Sequence, residues 1–143
     1  MISLDAIFNF YVISAFGALI AIIVSLAVLS TKSAEKAKES ESTISKIISQ
    51  VPIEKQTLFI LQYENVKKST STALLYALFL GGLGAHKFYL NKTGLGIVYL
   101  VFSWSLIPTI IAYIEALAMN AEVGAYNEQK AREIGSAIFG RLI

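Results

Sequence analysis

Apolar residues run without a charge from Ala6 to Leu29, then dominate again from Thr72 to Leu80 and from Leu95 to Ile114. The first run is long enough for a helix to cross a hydrocarbon core, which takes roughly 20 apolar residues. Phe8, Phe10 and Tyr11 form an aromatic collar at its start. A cleaved signal sequence is the competing reading. Asp5, the lack of a basic leading segment and a run longer than the usual ~7 to 15 apolar residues favour a retained span. Within that span Gly17, Ala21 and Ser25 recur at every fourth position. One face is therefore small enough for close helix packing, against either the chain's own hairpin or a second subunit.

From Thr31 to Thr70 the chain turns to Lys, Glu and Ser, and no Gly or Pro interrupts Ala34 to Gln50. The first helix is expected to continue well out of the membrane. Ala34, Ala37, Ile44, Ile48 and Val51 fall on a three-four spacing broken by Glu41, the pattern of a short coiled-coil seam. The alternative is a helix lying on the headgroups with Ile44, Ile47, Ile48 and Val51 buried and Pro52 ending it. A second amphipathic piece follows, with Leu58, Phe59, Leu61 and Tyr63 against Glu64, Lys67 and Lys68. It is expected at the membrane surface, delivering the chain into the next span.

The second span reads from Ser71 to Leu83 or Tyr89, and the third from Gly94 to Ala118. Ala73, Ala77, Gly81 and Ala85 place four small residues along one face of the second. Ended at Leu83, that helix would be only about 18 to 20 Å long, against a core of ~30 Å. The segment after Leu80 must then complete the crossing or dip partway, and the pattern allows both. Gly81 to Gly96 holds five of the nine glycines together with His86, Lys87, Phe88, Tyr89, Asn91 and Lys92. It reads as the hinge of a membrane hairpin, with polar tips and rings suited to the interface. Pro108 predicts a bend near Trp104, where Ser103, Ser105 and Thr109 can satisfy freed carbonyls. Beyond Asn120, the residues Ala131, Ile134, Ala137, Ile138, Leu142 and Ile143 can share an apolar face, weakened by Gly135 and Gly140.

The expected fold class is an all-α integral membrane protein with three transmembrane helices. Residues 1–30 form the first span, 31–70 a charged helical linker, 71–119 a helical hairpin and 120–143 an amphipathic tail. Seven basic residues lie in the linker, three in the tail and two, Lys87 and Lys92, in the hinge. That bias predicts the N-terminus outside, the linker and C-terminus in the cytoplasm, and a plasma or inner membrane location.

Composition sharpens this picture mainly by exclusion. With 55% apolar and 15% charged residues, the chain is too oily for a soluble compact core. The absence of cysteine removes disulfides and thiolate sites, and a single histidine cannot hold zinc alone. A net charge of +2, with lysines interleaved among glutamates, argues against nucleic acid as a partner. No nucleophile–base pair, metal-ligand cluster or paired carboxylates can be read from the chain, and Gly81 to Gly84 follow a helix rather than a strand. No enzymatic activity, cofactor or metal is expected.

Charge inside a bilayer is costly and draws a functional reading. Glu115 lies 21 residues beyond Gly94, so in one continuous helix it would sit about 31 Å from the hinge. That separates it from His86 across the bilayer and makes Lys67 or Lys68 its expected partner. His86 then caps the hinge, and Phe88, Tyr89 and Trp104 anchor the interfaces.

The string Phe79-Leu80-Gly81-Gly82-Leu83-Gly84-Ala85-His86-Lys87-Phe88-Tyr89-Leu90, preceded by Lys67-Lys68-Ser69 and followed by Thr93-Gly94-Leu95-Gly96-Ile97, resembles the TM-two domain family. The likeness extends to Ile114-Glu115-Ala116 and Tyr126-Asn127, covering about residues 56–128. It departs at Asn91, where the family pattern has Gly, and at Lys87, where Arg is common. The resemblance implies a two-helix membrane hairpin and no settled activity.

The residues expected to matter are Gly17, Ala21, Ser25, Ala77, Gly81, Gly82, Gly84, His86, Phe88, Tyr89, Pro108 and Glu115. The expected function is a non-catalytic membrane assembly or anchoring module built on small-residue packing. Its partners are the lipid bilayer and either a second copy or another membrane protein. The alternative is a small homo-oligomeric channel or membrane-perturbing effector gated by the linker, with Ser103, Ser105, Thr109 and Glu115 lining a path.

Overall fold

The computed structural model describes residues 4–139. Helix α1 (Leu4–Gln50) is a single rod of 47 residues, about 70 Å long. No proline occurs before Pro52 to break it, and its last turn closes through the Val51 N–H donating to the Ile48 carbonyl at 3.1 Å. Its apolar first half is long and oily enough to cross a membrane, and among the described residues nothing covers it. A Cβ added at Gly17 would meet no atom within 4 Å. Gly17, Ala21 and Ser25 thus do not pack on the chain's own hairpin. The Ser25 hydroxyl donates to the Ala21 carbonyl at 2.8 Å.

The charged second half of α1 is a packing element. Ser33, Ala37, Ser40, Ile44, Ile47 and Val51 turn inward, a strict three-four repeat along one face. Their partner is the distal half of α6 (Ile107–Phe139), which runs parallel to α1. The Ala121 N–H donates to Ser33 Oγ at 3.1 Å, and a Cβ at Gly124 would come within 3.2 Å of the Ala37 backbone. Farther along, Ile44, Ile47, Val51 and Ala131 share a core with Phe59. The seam expected through Ala34 and Ile48 is shifted by one position, so exposed Glu41 does not interrupt it. Ile44, Ile47 and Val51 are buried in protein rather than in headgroups.

Helix α2 (Ile53–Val66) folds back beside this pair, inserting Phe59 with Tyr63 stacked near it. It leaves Ile53, Leu58 and Leu61 exposed. Gly135 is buried inside a continuous α6 and does not break it. The Phe10 side chain, Gly140, Leu142 and Ile143 lie outside what is described.

After an extended Lys67 to Ser69, helix α3 (Thr70–Leu80) climbs away from the charged end. Ala73, Ala77 and Gly81 face α6, where a Cβ on Gly81 would lie 2.5 Å from Ala112 Cβ. The chain then reverses. A 3-10 turn over Gly81–Leu83 ends at Gly84 with φ +72, a left-handed conformation that glycine adopts without strain. The short helix α4 (Ala85–Tyr89) descends beside α3, and α5 (Thr93–Phe102) climbs again. Ala85 therefore falls off the small-residue face that its spacing predicts.

A third reversal, after those at Gly84 and Asn91, is formed by Ser103–Ser105 followed by Leu106 at φ +59 and turns the chain into α6. Pro108 is the second residue of that new helix, where its missing N–H is an orphan position and no preceding turn exists to clash. The expected bend is thus a full turn. The hairpin's far turn is Ser103–Leu106, and Gly81–Gly84 is an inner reversal between α3 and α4. This is the principal correction to the linear reading, and it moves every residue from His86 to Lys92 toward the charged end.

Candidate functional site: a buried ion-pair chain

The reversal at Leu106 brings Glu115 of α6 back to the level of His86. His86 Nε2 lies 2.8 Å from Glu115 Oε2, and the Tyr99 hydroxyl donates to the same oxygen at 2.7 Å. Lys87 Nζ meets the other oxygen, Oε1, at 2.9 Å. An ionised carboxylate carries no hydrogen, so the His86 Nε2 must supply one. His86 is 0% exposed and Lys87 2%, while His86 Nδ1 has no hydrogen-bond partner among the described residues. The Tyr99 ring meets the imidazole edge-on at 5.4 Å between centroids.

Lys87 also reaches Glu122 at 3.3 Å, and Lys92 closes on Glu122 at 2.7 Å. Glu115 and Glu122 are seven residues apart, two turns along one face of α6, so the chain of charges descends about 10 Å toward the charged end. Two lysines balance two carboxylates. Burying a lysine costs several kcal/mol unless partners compensate, and this pairing is what makes the burial of Lys87 tolerable.

Three glycines and one asparagine set the geometry. A Cβ at Gly84 would lie 2.5 Å from Tyr99 Cβ, so only glycine lets α4 touch α5 there. A Cβ at Gly96 would strike the Phe88 ring at 2.8 Å, and one at Gly82 would strike Thr109 Oγ1 at 2.5 Å. Asn91 takes φ +58, the left-handed conformation that asparagine tolerates better than most residues, and completes the turn expected to need glycine. Its Nδ2 donates to the Tyr126 hydroxyl at 3.2 Å.

Near the base of the hairpin, Tyr89 packs edge-on against Tyr76, and its hydroxyl accepts from the Ser69 N–H at 2.9 Å. The Lys68 ammonium lies 4.8 Å over the Tyr89 ring. Asn127 pins the strand-like entry to α3 by accepting from the Lys68 N–H at 2.7 Å and donating to the Lys68 carbonyl at 2.9 Å. Lys67 pairs with Glu64 instead of Glu115. Lys67 and Lys68 are thus not the partners of Glu115; Lys87 is, because α4 returns along α6.

Tyr99 and Glu122 do not stand out in the linear reading. The signal was the spacing of Glu115 and Glu122 on one face of α6, with Lys87 and Lys92 five apart in the segment opposite. Among the described residues no group of three His, Asp or Glu side chains is placed to hold a metal. The Ser105 hydroxyl is bound to the Phe102 carbonyl at 2.8 Å, and Thr109 is packed on Gly82, so neither continues the charge chain.

Comparison with known proteins finds a family match within this hairpin. Residues 66–117 match the family described as TM2 domain. A curated relative, "Uncharacterized membrane protein YozV" of Bacillus subtilis (strain 168), is 57% identical over 49 residues, which is 34% of this chain and 62% of the relative. The chain therefore matches somewhat less than two thirds of that protein's length. No solved structure gives a significant match. The long α1, its α2 partner and most of the distal half of α6 lie outside the family match.

Proposed function

We propose that this chain, a membrane protein whose residues 66–117 are a TM2 domain, is a non-catalytic assembly or anchoring module. The observation that carries the reading is the division of labour among its small residues. Ala73, Ala77, Gly81, Gly82 and Gly84 are consumed in packing the hairpin on itself. Gly17, Ala21 and Ser25 lie exposed on the first half of α1, where no other element among the described residues meets them. In lipid, association of such a face is driven by close van der Waals contact, and a glycine stripe permits it. The first span then recruits a second copy or another membrane protein. The parallel α1–α6 pair transmits that association to a helical platform on the charged side, which the basic residues put in the cytoplasm.

The channel reading draws on the buried charges, but each carboxylate oxygen of Glu115 is already engaged and the chain is electrically balanced. That pattern suits a structural clasp. The test is the oligomer size in nanodiscs of wild type and Gly17→Leu. An oligomer that dissociates with Gly17→Leu while thermal stability is unchanged supports the module, and a wild-type monomer, or an oligomer indifferent to the change, opposes it. Gly81→Leu reports folding instead, since its side chain would collide with Ala112. Ion flux above an empty-liposome control would favour the channel.

A further inference from the structure

Three elements change from apolar to charged at one level of the molecule. On α1 the first charge after the apolar run from Ala6 to Leu29 is Lys32, on α5 the apolar run begins just after Lys92, and on α6 the first charge beyond Glu115 is Glu122. The contact between Ser33 Oγ and the Ala121 N–H and the pair between Lys92 and Glu122 fix these transitions beside one another. In a bilayer this level is the boundary between acyl chains and headgroups, and Tyr89 and Tyr126 near it match the aromatic belt expected there.

A cavity of about 590 Å³ opens at this level between α1, the α4–α5 turn and α6. Its polar wall is Lys36, Asn91, Lys92, Tyr126, Gln129 and Lys130, drawn from all three elements. Its remaining apolar wall is Leu90 with Ala118, Ala121 and Ala125 of α6. Three of the donors are held by carboxylates, Lys92 by Glu122 at 2.7 Å and Lys130 and Gln129 by Glu133 at 2.6 and 2.9 Å. Lys36 makes no ion pair among the described residues. Glu122, the one acidic residue of the wall, already receives both Lys87 and Lys92. The Tyr126 hydroxyl accepts from Asn91, which leaves its own hydrogen free to be donated. Asn91, at φ +58, turns the chain so that its amide and the following Lys92 both line the cavity.

We infer that this cavity binds the phosphate of an anionic phospholipid headgroup, with Lys36 supplying charge, Tyr126 supplying a hydrogen bond, and Lys92 and Lys130 turning to the phosphate from their pairs with Glu122 and Glu133. Basic pockets between membrane helices on the cytoplasmic side suit such headgroups, and each lysine near the surface contributes about fivefold in affinity. The placement at the acyl–headgroup boundary selects a lipid over a soluble phosphate, because a lipid presents its phosphate there. A lipid so bound ties α1 to the α4–α5 turn and α6, which line the cavity together.

The experiment is native mass spectrometry of the full chain released from nanodiscs of phosphatidylcholine with an equal share of phosphatidic acid. In parallel, inorganic phosphate is titrated onto the detergent-solubilised protein. The expected result is selective retention of one phosphatidic acid per chain, reduced about 25-fold by the Lys36→Gln/Lys130→Gln double variant. That variant leaves the Glu115–Lys87–Glu122–Lys92 chain intact, so its thermal stability should match wild type. Equal retention of both lipids overturns the inference, as does a phosphatidic acid preference that the double variant retains. Binding of inorganic phosphate without lipid preference overturns the headgroup assignment in favour of a soluble anion.

Discussion

His86 and Glu115 are 29 residues apart in sequence and 2.8 Å apart in space, joined at a level of the molecule that a straight third span would place at opposite membrane faces. Two left-handed residues bring this about: Gly84 sends α4 back beside α3, and Leu106 sends α6 back beside α5. The clasp they close holds the hairpin together by pairing charges that the membrane would otherwise reject.

Glu115→Leu leaves Lys87 buried beside an apolar side chain, and removing one partner of a buried pair costs about 3–5 kcal/mol. Thermal unfolding in detergent should show that loss. Lys87→Met combined with Glu115→Leu should recover much of it, because the double change removes both charges. A double variant as unstable as the sum of the two single ones would show that Lys87 and Glu115 do not act as a pair.

Gly84→Ala should destabilise the hairpin by at least about 2 kcal/mol, from the left-handed backbone and the collision with Tyr99 together. Gly94→Ala, with open space around its Cβ, should be nearly silent in the same melting assay.

Asn91→Gly should fold as well as wild type, since the turn needs a left-handed residue and glycine is the better one. Asn91→Val should lose about 1–2 kcal/mol, because a β-branched side chain resists that conformation. Equal stability of both variants would mean the turn is not formed as described.

Much of this architecture is legible in the residues. The uninterrupted stretch to Pro52 announces α1, and the spacing of Ala73, Ala77 and Gly81 announces a close-packed face. The reversals are not legible, because a residue count converts to distance only along a straight helix. Leu106 gives no hint of a left-handed turn, and Gly84 is one of several glycines that could bend the chain. The α1 seam hides for a different reason: Ser33 and Ser40 look like solvent-facing residues until Gly124 brings the backbone of α6 against them. The pattern left open whether Gly81 to Tyr89 spans or re-enters, and in the structure the chain turns back on itself at Gly81–Gly84.

Trp104, the single tryptophan, caps the far turn and is 81% exposed to the surroundings of the chain. From Lys92 to Trp104 the rise is about 18 Å, and from Ile107 to Glu122 about 22 Å, both short of a ~30 Å core. Its fluorescence should therefore be quenched most by lipids brominated within the acyl chains. Strongest quenching by a water-soluble agent would place the tip in solvent instead.

The inner reversal predicts that Thr93 and Gln129 face the same side of the membrane, whereas a straight span from Ser71 to Tyr89 would separate them. Because the chain has no cysteine, Thr93→Cys and Gln129→Cys can each be labelled alone with a membrane-impermeant maleimide in sealed, oriented vesicles. The account predicts that both cysteines react from the same side. Labelling of Thr93→Cys from one side and Gln129→Cys only from the other would contradict it.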